Sequence, residues 1–293
     1  MSRPLVSIIV PMYNHADYIE ECLNSLLNLE YDNYEVIICD DGSKDSSYEI
    51  AATWLENNST VQGKLYHQEN QGVCRTLNRL VKEATGKYIA ICASDDSLTS
   101  NSLCERVRYL NNDDSKVACI GDANLIDQSS NILSTNAMKY LYKSSYQNLS
   151  NNIVSELVLR WAVVGPTLLI RKSAYEQFGY YDESLKVEDR DYYLRLLAND
   201  VLAFLPINVA NYRIHTGNSS RRNLSAKLIV LKDVALSNLK YADDYKEVNI
   251  IFLKSHLIDL FIVNKLFVKK DLLSYLFLSI FRLIRKNIVK VVL

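Results

Sequence analysis

The first 120 residues alternate between short apolar runs and segments of helical periodicity, and this alternation limits the fold more than any other feature. Residues 5–10 (LVSIIV), 34–39 (YEVIIC) and 87–93 (KYIAICA) are nearly continuous apolar runs of strand length, and 64–67 is a shorter one. Between them, 18–29 sets Ile19, Cys22, Leu23, Leu26 and Leu27 at helical spacing. Two more helices are expected over 46–57, with Asp45 or Ser46 as cap, and over 73–84, ended by a turn at Gly86. Strands apolar on both faces must be covered on both faces. The pattern therefore predicts an α/β fold: a Rossmann-like, mostly parallel sheet with helices on both faces. From Val117 the signal is mixed, with strands near 117–121 and 167–171 and helices near 153–161 and 190–198. The last 70 residues carry helical periodicity alone, over 226–240, 248–267 and 271–292, a C-terminal helical extension.

Charge and cysteine usage remove several classes. Acidic and basic residues nearly balance at a net −1, so no general field draws the chain to nucleic acid. The balance hides an asymmetry. Residues 263–293 hold Lys265, Lys269, Lys270, Arg282, Arg285, Lys286 and Lys290 against Asp271 alone. The six cysteines all precede residue 120, form no C-x-x-C pair and mostly lie in apolar runs, as buried free thiols of a reducing compartment do. No window approaches the length of a spanning helix. A cytoplasmic protein, soluble or peripheral on the inner face of the plasma membrane, is expected.

Three polar clusters follow apolar strands: Tyr13-Asn14, Asp40-Asp41 and Asp95-Asp96. In open α/β sheets the ligand sits beyond the carboxyl ends of the strands, so three clusters on one edge locate a site. Asp95-Asp96 reads either as a cap for a helix over 98–110 or as a pair holding a hard divalent cation beside phosphate oxygens. The other clusters favour the metal. Asp40-Asp41-Gly42-Ser43 is a turn whose carboxylates can also accept from a base or ribose; Tyr13 can stack on a base and Asn14 bond to it. Glu188-Asp189-Arg190-Asp191 opens a helix, as a solvated first turn or as a general base aimed into a cleft. His215 in isolation reads as structural. G-x-S-x-G, G-x-x-x-x-G-K-S/T, H-E-x-x-H and G-x-G-x-x-G are absent, which removes serine hydrolases, P-loop NTPases, zincins and dinucleotide dehydrogenases.

The segments VSIIVPMYNHADYIEECLNSLLN, YEVIICDDGSKDSS, HQENQGVCRTLNRLVKEATGKYIAICASDD, GPTLLIRKSAYEQFGYYDESLKVEDRDYYLRL and YRIHTGNSS stand in that order. Together they resemble the family-two glycosyltransferases of the GT-A fold, over roughly residues 4–221. The resemblance implies a catalytic domain over 1–221, divided into a nucleotide-binding half (1–120) and an acceptor-binding half (121–221), followed by a helical extension over 222–293. It implies inverting transfer from a nucleotide-diphospho-sugar, a UDP-sugar first, to a glycan or lipid-linked glycan in bacterial surface polysaccharide synthesis, with Mn²⁺ or Mg²⁺. By the same resemblance Pro11, Tyr13 and Asp41 hold the base, with Asn14 and Asp40 beside them. Asn70, Gly72 and Arg75 close over the nucleotide. Asp95 contacts ribose and metal, Asp96 is the main metal carboxylate, and His215 and Arg213 approach the diphosphate or metal. Asp189 is the base, supported by Glu188 and Asp191. One departure stands out: the first Asp of the family's D-x-D-D is Ala93 here.

Two rival readings are a sugar-nucleotidyltransferase and a catalytically inactive glycan-binding or scaffolding module. The first wants a glycine- and basic-rich N-terminal signature, the second a loss of carboxylates, and the chain shows neither. The tail over 271–293 aligns Leu272, Leu273, Leu276, Phe277, Ile280, Phe281, Ile284, Ile288 and Val291 in one stripe with cations around its edges. It reads either as a helix packed on the catalytic domain or in a homodimer, or as an interfacial helix on an anionic membrane surface.

Overall fold

A computed structural model describes residues 3–215, 224–266 and 271–292. Outside them lie 216–220 of the last motif, Phe267 of an expected helix, and Lys269 and Lys270; the side chains of Lys265, Ile288, Lys290 and Val291 are likewise not described.

The N-terminal half follows its periodicity. It runs β1 (Val6–Met12), α1 (Ile19–Leu27), β2 (Tyr34–Asp40), α2 (Ser47–Asn57), β3 (Gln62–His67), α3 (Val73–Glu83) and β4 (Tyr88–Ile91). The four strands pair in parallel in the order β3-β2-β1-β4, with Ile8 opposite both Val36 and Ala90. Ile8, Ile9, Val10, Val36, Ile37 and Ile38 are fully buried, as a sheet covered on both faces requires.

The second half continues with β5 (Ser97–Leu98), α4 (Ser102–Asn112), β6 (Ala118–Ile126), β7 (Ile132–Ser134), α5 (Ala137–Tyr142), α6 (Tyr146–Asn151), α7 (Ile153–Arg160), β8 (Leu168–Arg171), α8 (Ser173–Phe178), α9 (Asp189–Ala198) and β9 (Leu202–Arg213). The full order is β3-β2-β1-β4-β8-β6-β9-β5, with β7 on β6. β8 is antiparallel to both β4 and β6, so the sheet is parallel through the first half and mixed in the second, where the sequence pattern also becomes mixed. β6 runs five residues beyond the expected end at Gly121, with its polar members Asp122 and Asn124 hydrogen-bonded within the fold. Asp122 accepts from Ala123 N and Met138 N, and Asn124 bonds both Asn208 and Asn211. The helix expected over 98–110 starts at Ser102 instead, since Ser97 and Leu98 pair with β9. Asp95-Asp96 therefore caps no helix.

The extension comprises α10 (Leu224–Lys240), α11 (Glu247–Lys254), α12 (Leu257–Phe261), a π turn over Ile262–Leu266, and α13 (Asp271–Val292). The continuous helix expected over 248–267 is broken at Ser255, whose carbonyl and hydroxyl both accept from Arg285. All six cysteines are free thiols, five of them buried.

At the edge opposite the strand carboxyl ends, buried Glu35 ties β1, β2 and the turn before β4 together. It accepts from Ser7 Oγ at 2.6 Å and from both Thr85 N and Thr85 Oγ1 at 2.7 Å. Burial presses this carboxyl up, but these donors outweigh it and hold it below the ordinary glutamate value. A carboxylate depressed on folding stabilises above its unfolded pKa, and that contribution is lost as pH falls through the folded value. Glu35→Gln is expected to cost roughly 1–3 kcal/mol at neutral pH, with the gap to wild type closing below about pH 4. Denaturant midpoints across pH test this, and a gap independent of pH would contradict it.

Candidate active site

The carboxyl ends of β1, β2 and β4 do converge on one edge. The turn after β4 closes through Asp96 N bonding Ala93 O at 3.0 Å, which turns both carboxylates back into the protein. Asp95 and Asp96 are 8% and 2% exposed. Two adjacent buried carboxylates demand compensation, and the end of β9 supplies part of it. Arg213, itself buried, donates its backbone N–H to Asp96 Oδ1 (2.9 Å) and its Nε–H to the Asp95 carbonyl (2.8 Å), and pairs with Glu21 (2.8 Å). Burial and then the Asp95 charge still hold Asp96 well above the ordinary carboxylate value.

Two residues beyond Arg213, His215 Nε2 lies 3.0 Å from Asp95 Oδ2. From the loop after β1, His15 Nδ1 lies 3.8 Å from Asp95 Oδ1 and 2.7 Å from Ser94 Oγ. The ligand atoms of His15, Asp95 and His215 all fall within 4.8 Å of one another, the one such cluster among the described residues. Two imidazoles and a carboxylate form a donor set that suits Mn²⁺ better than the harder Mg²⁺. Burial holds His15 below the ordinary imidazole value despite Asp95, which keeps a lone pair available. The residues present therefore fit a divalent ion, centred on Asp95 rather than on Asp96. Sequence reasoning ended its first cluster at Asn14 and so missed His15, one residue further along the same loop.

The nucleotide-side residues divide. Tyr13 is exposed and Pro11 half-buried on β1. Asn14 sits at φ +54°, and its side-chain oxygen accepts from Lys44 N (2.7 Å), so it ties the first loop to the Asp40-Asp41 turn. Asp40 is fully buried and bonds Ser43 and His67. Asp41 clamps the loop before α3, accepting from Gln68 Nε2 and Gln71 N (both 2.8 Å) and Gly72 N (2.9 Å). A β-carbon on Gly42, at φ +76°, would stand 2.9 Å from Asn70 N, so glycine lets the turn meet that loop. Asn70 and Arg75 are exposed, Arg75 with Glu183 at 3.3 Å. A groove of about 380 Å³ runs along α3 between Gln68, Arg75, Arg79 and Glu183; neither Asp95 nor Asp189 lines it.

Glu188 and Asp189, both half-buried, lead into α9. Asp189 Oδ1 accepts from Arg190 N at 2.6 Å. Burial raises Asp189 above the ordinary aspartate value, and burial with the Asp189 charge lifts Glu188 to about 8. The Tyr212 phenol is pushed up by burial and then by Asp96, Asp95 and Asp189 among its neighbours, so this ring lies within electrostatic reach of both acidic groups. Asp191 is not brought to them. It is buried against α10, pairing with Arg195 (2.6 Å) and Lys240 (3.0 Å). Beside it Arg190 donates to Asn238 and to the terminal carbonyls of α7, and Lys186 N donates to Asp233. The extension thus grips the segment that carries Asp189 at three points.

The family model described as Glycosyl transferase family 2 matches residues 7–178, which include Asp95 and Asp96 and end before Asp189 and His215. An uncharacterized glycosyltransferase of Rickettsia typhi is 30% identical over 226 residues, 76% of this chain and 68% of the relative. Another, from Rickettsia felis, is 30% identical over 222 residues, and there the match spans only 36% of the relative's length. Among solved structures, Staphylococcus aureus TarS 1-349 in complex with UDP-GlcNAc superposes with a TM-score of 0.64 at 21% identity, over 87% of this chain and 72% of that one. The mannosyltransferase PcManGT of Pyrobaculum calidifontis, in complex with GDP-Man and Mn²⁺, gives 0.63 at 16% identity, over 96% and 81%. These structures share the GT-A fold with the chain.

Asp191→Ala removes the acceptor that Arg195 and Lys240 share and is expected to cost about 3 kcal/mol. Thermal unfolding tests this; an unchanged Tm would mean that α9 does not depend on α10.

Proposed function

The chain belongs to glycosyl transferase family 2, and we propose that it moves a sugar, with inversion, from a nucleotide-diphospho-sugar to a hydroxyl of a glycan or lipid-linked glycan. The observation that carries this reading is that two acidic groups both act on the Tyr212 phenol. Asp95 with His15 and His215 is a donor set for a divalent ion, and Asp189 is a carboxylate that burial raises above its ordinary value. The solved relative bound to UDP-GlcNAc favours a UDP-sugar donor, and the one bound to GDP-Man and Mn²⁺ favours manganese. Surface polysaccharide as the acceptor class is carried by the family resemblance of the sequence.

In this reading residues 1–221 are the catalytic unit and 222–293 an extension that buttresses it. Tyr13, exposed just beyond the end of β1, stacks on the base. Asp41 acts through the loop it clamps, presenting Asn70, Gly72 and Arg75 at the rim of the nucleotide site. A divalent ion held by Asp95, His15 and His215 would neutralise charge on the departing diphosphate. Asp96 and Arg213 fix the turn from which Asp95 projects. Asp189 takes the proton of the acceptor hydroxyl as that oxygen attacks the anomeric carbon from the face opposite the leaving group. A single displacement inverts the centre and calls for no covalent nucleophile. Burial, and then the Asp189 charge, push the Glu188 carboxyl up, so Glu188 gives up its proton less readily than an ordinary glutamate.

Asp189→Asn is expected to lower turnover by roughly 10²- to 10⁴-fold while leaving nucleotide affinity near wild type; transfer assays and nucleotide titration check both. Since burial raises Asp189, the acid limb of kcat should lie above the ordinary aspartate range and vanish in that variant. Near-wild-type turnover would remove Asp189 from the reaction. His15→Ala should weaken Mn²⁺-dependent nucleotide binding about tenfold or more, and equal affinity with and without the imidazole would exclude His15 as a ligand.

A further inference from the structure

Helix α13 packs one face on the rest of the extension, where Leu278 meets Leu228 and Ile262, and leaves a second apolar face outside. Its inward face is formed by Ser274, Leu278 and Arg285, which are 2%, 0% and 7% exposed. Arg285 fixes that orientation: its two terminal nitrogens each lie 2.8 Å from an oxygen of buried Asp259 on α12, and its Nε–H donates to Ser255 Oγ. The face left outside is apolar. Leu272, Leu276, Ile280 and Leu283 are 62%, 50%, 55% and 61% exposed and recur at helical spacing as one continuous stripe. A soluble surface does not keep such a stripe without an occupant.

The charge around the stripe selects that occupant. Exposed Arg282 and Lys286 run along one edge of it. Residues 248–293 carry eight Lys and Arg against two acids. Asp259 is spent on Arg285, and Asp271 accepts from Ser225 Oγ. A second copy docked through the same face would bring this cationic set against itself, since a two-fold interface repeats one patch on both sides. An anionic surface with an apolar interior meets both demands. No described helix is long and apolar enough to cross a membrane, so the mode is a helix lying in the interface plane. We propose that α13 docks the chain on an anionic phospholipid surface, with its apolar stripe in the acyl boundary and Arg282 and Lys286 against the headgroups. This goes beyond the transferase reading and does not depend on it.

Flotation of the full chain, without nucleotide, on phosphatidylglycerol–phosphatidylcholine vesicles and on phosphatidylcholine alone tests the proposal. The chain should float with the anionic vesicles at low salt, be released at high salt, and stay behind with the neutral ones. Arg282→Gln with Lys286→Gln should weaken binding about thirtyfold, at about fivefold per cation. Leu276→Ser with Ile280→Ser should abolish it while circular dichroism and Tm stay at wild type, because both side chains are already exposed. Failure to float at low salt overturns the proposal, as does equal flotation on neutral vesicles or flotation unmoved by either variant pair. So does a dimer by light scattering that Leu276→Ser with Ile280→Ser dissolves, which would give the face to a second copy.

Discussion

Two neighbouring carboxylates closed into the end of a strand must be compensated by cations or donors, and the architecture around the site follows from that demand. Arg213 is the first answer. Its backbone and guanidinium grip the Asp95-Asp96 turn, and its remaining nitrogens reach Glu21, Asp127 and Ser130. Because β9 must end there, Ile126 and Arg213 stay in parallel register and His215 arrives against Asp95. His15 arrives from the other side on the loop after β1, so the two halves of the sheet meet at one acid.

A second joint holds the candidate base. The loop before α9 is bonded on one side to α3, through Asn78 with Tyr181 and Cys74 with Leu185. On the other it is bonded to α10, through Asp233 and Lys240, and Arg190 at the start of α9 donates to Asn238. Asp189 is therefore carried by a segment fixed from both α3 and the C-terminal helices. A site built this way has its geometry set by packing rather than by its own loop, which orientation-dependent proton transfer requires.

The first half of the fold was legible because its periodicity left one solution: every apolar run became a strand of the parallel group and every helical stripe a covering helix. Legibility failed where a side chain redirected the backbone. Leu98 opens the helix expected over 98–110, yet an open edge of β9 takes it, with Ser97, as a strand. Residues 248–267 read as one helix, but Arg285 claims Ser255 and breaks it. At the site, residue types at strand ends marked the edge, while periodicity said nothing of which neighbour faces the cleft. Asp189 and Asp191 lie two apart on one helix, so they point to different surfaces, and only the positions of Arg195 and Lys240 decide that Asp191 is the structural one. The apolar stripe of α13 was equally plain from the sequence. Its outward direction was not, because a buried ion pair set it.

The central claim is that Asp95 and its two histidines form the metal end of a nucleotide-sugar site. Anomalous diffraction from crystals grown with Mn²⁺ and UDP tests it most directly. The account predicts a manganese peak within about 2.0–2.3 Å of Asp95 and His215 ligand atoms, with the uracil on the Tyr13 side of the cleft. A peak held by Glu188 and Asp189, with Asp95 still bonded to both histidines, would contradict it.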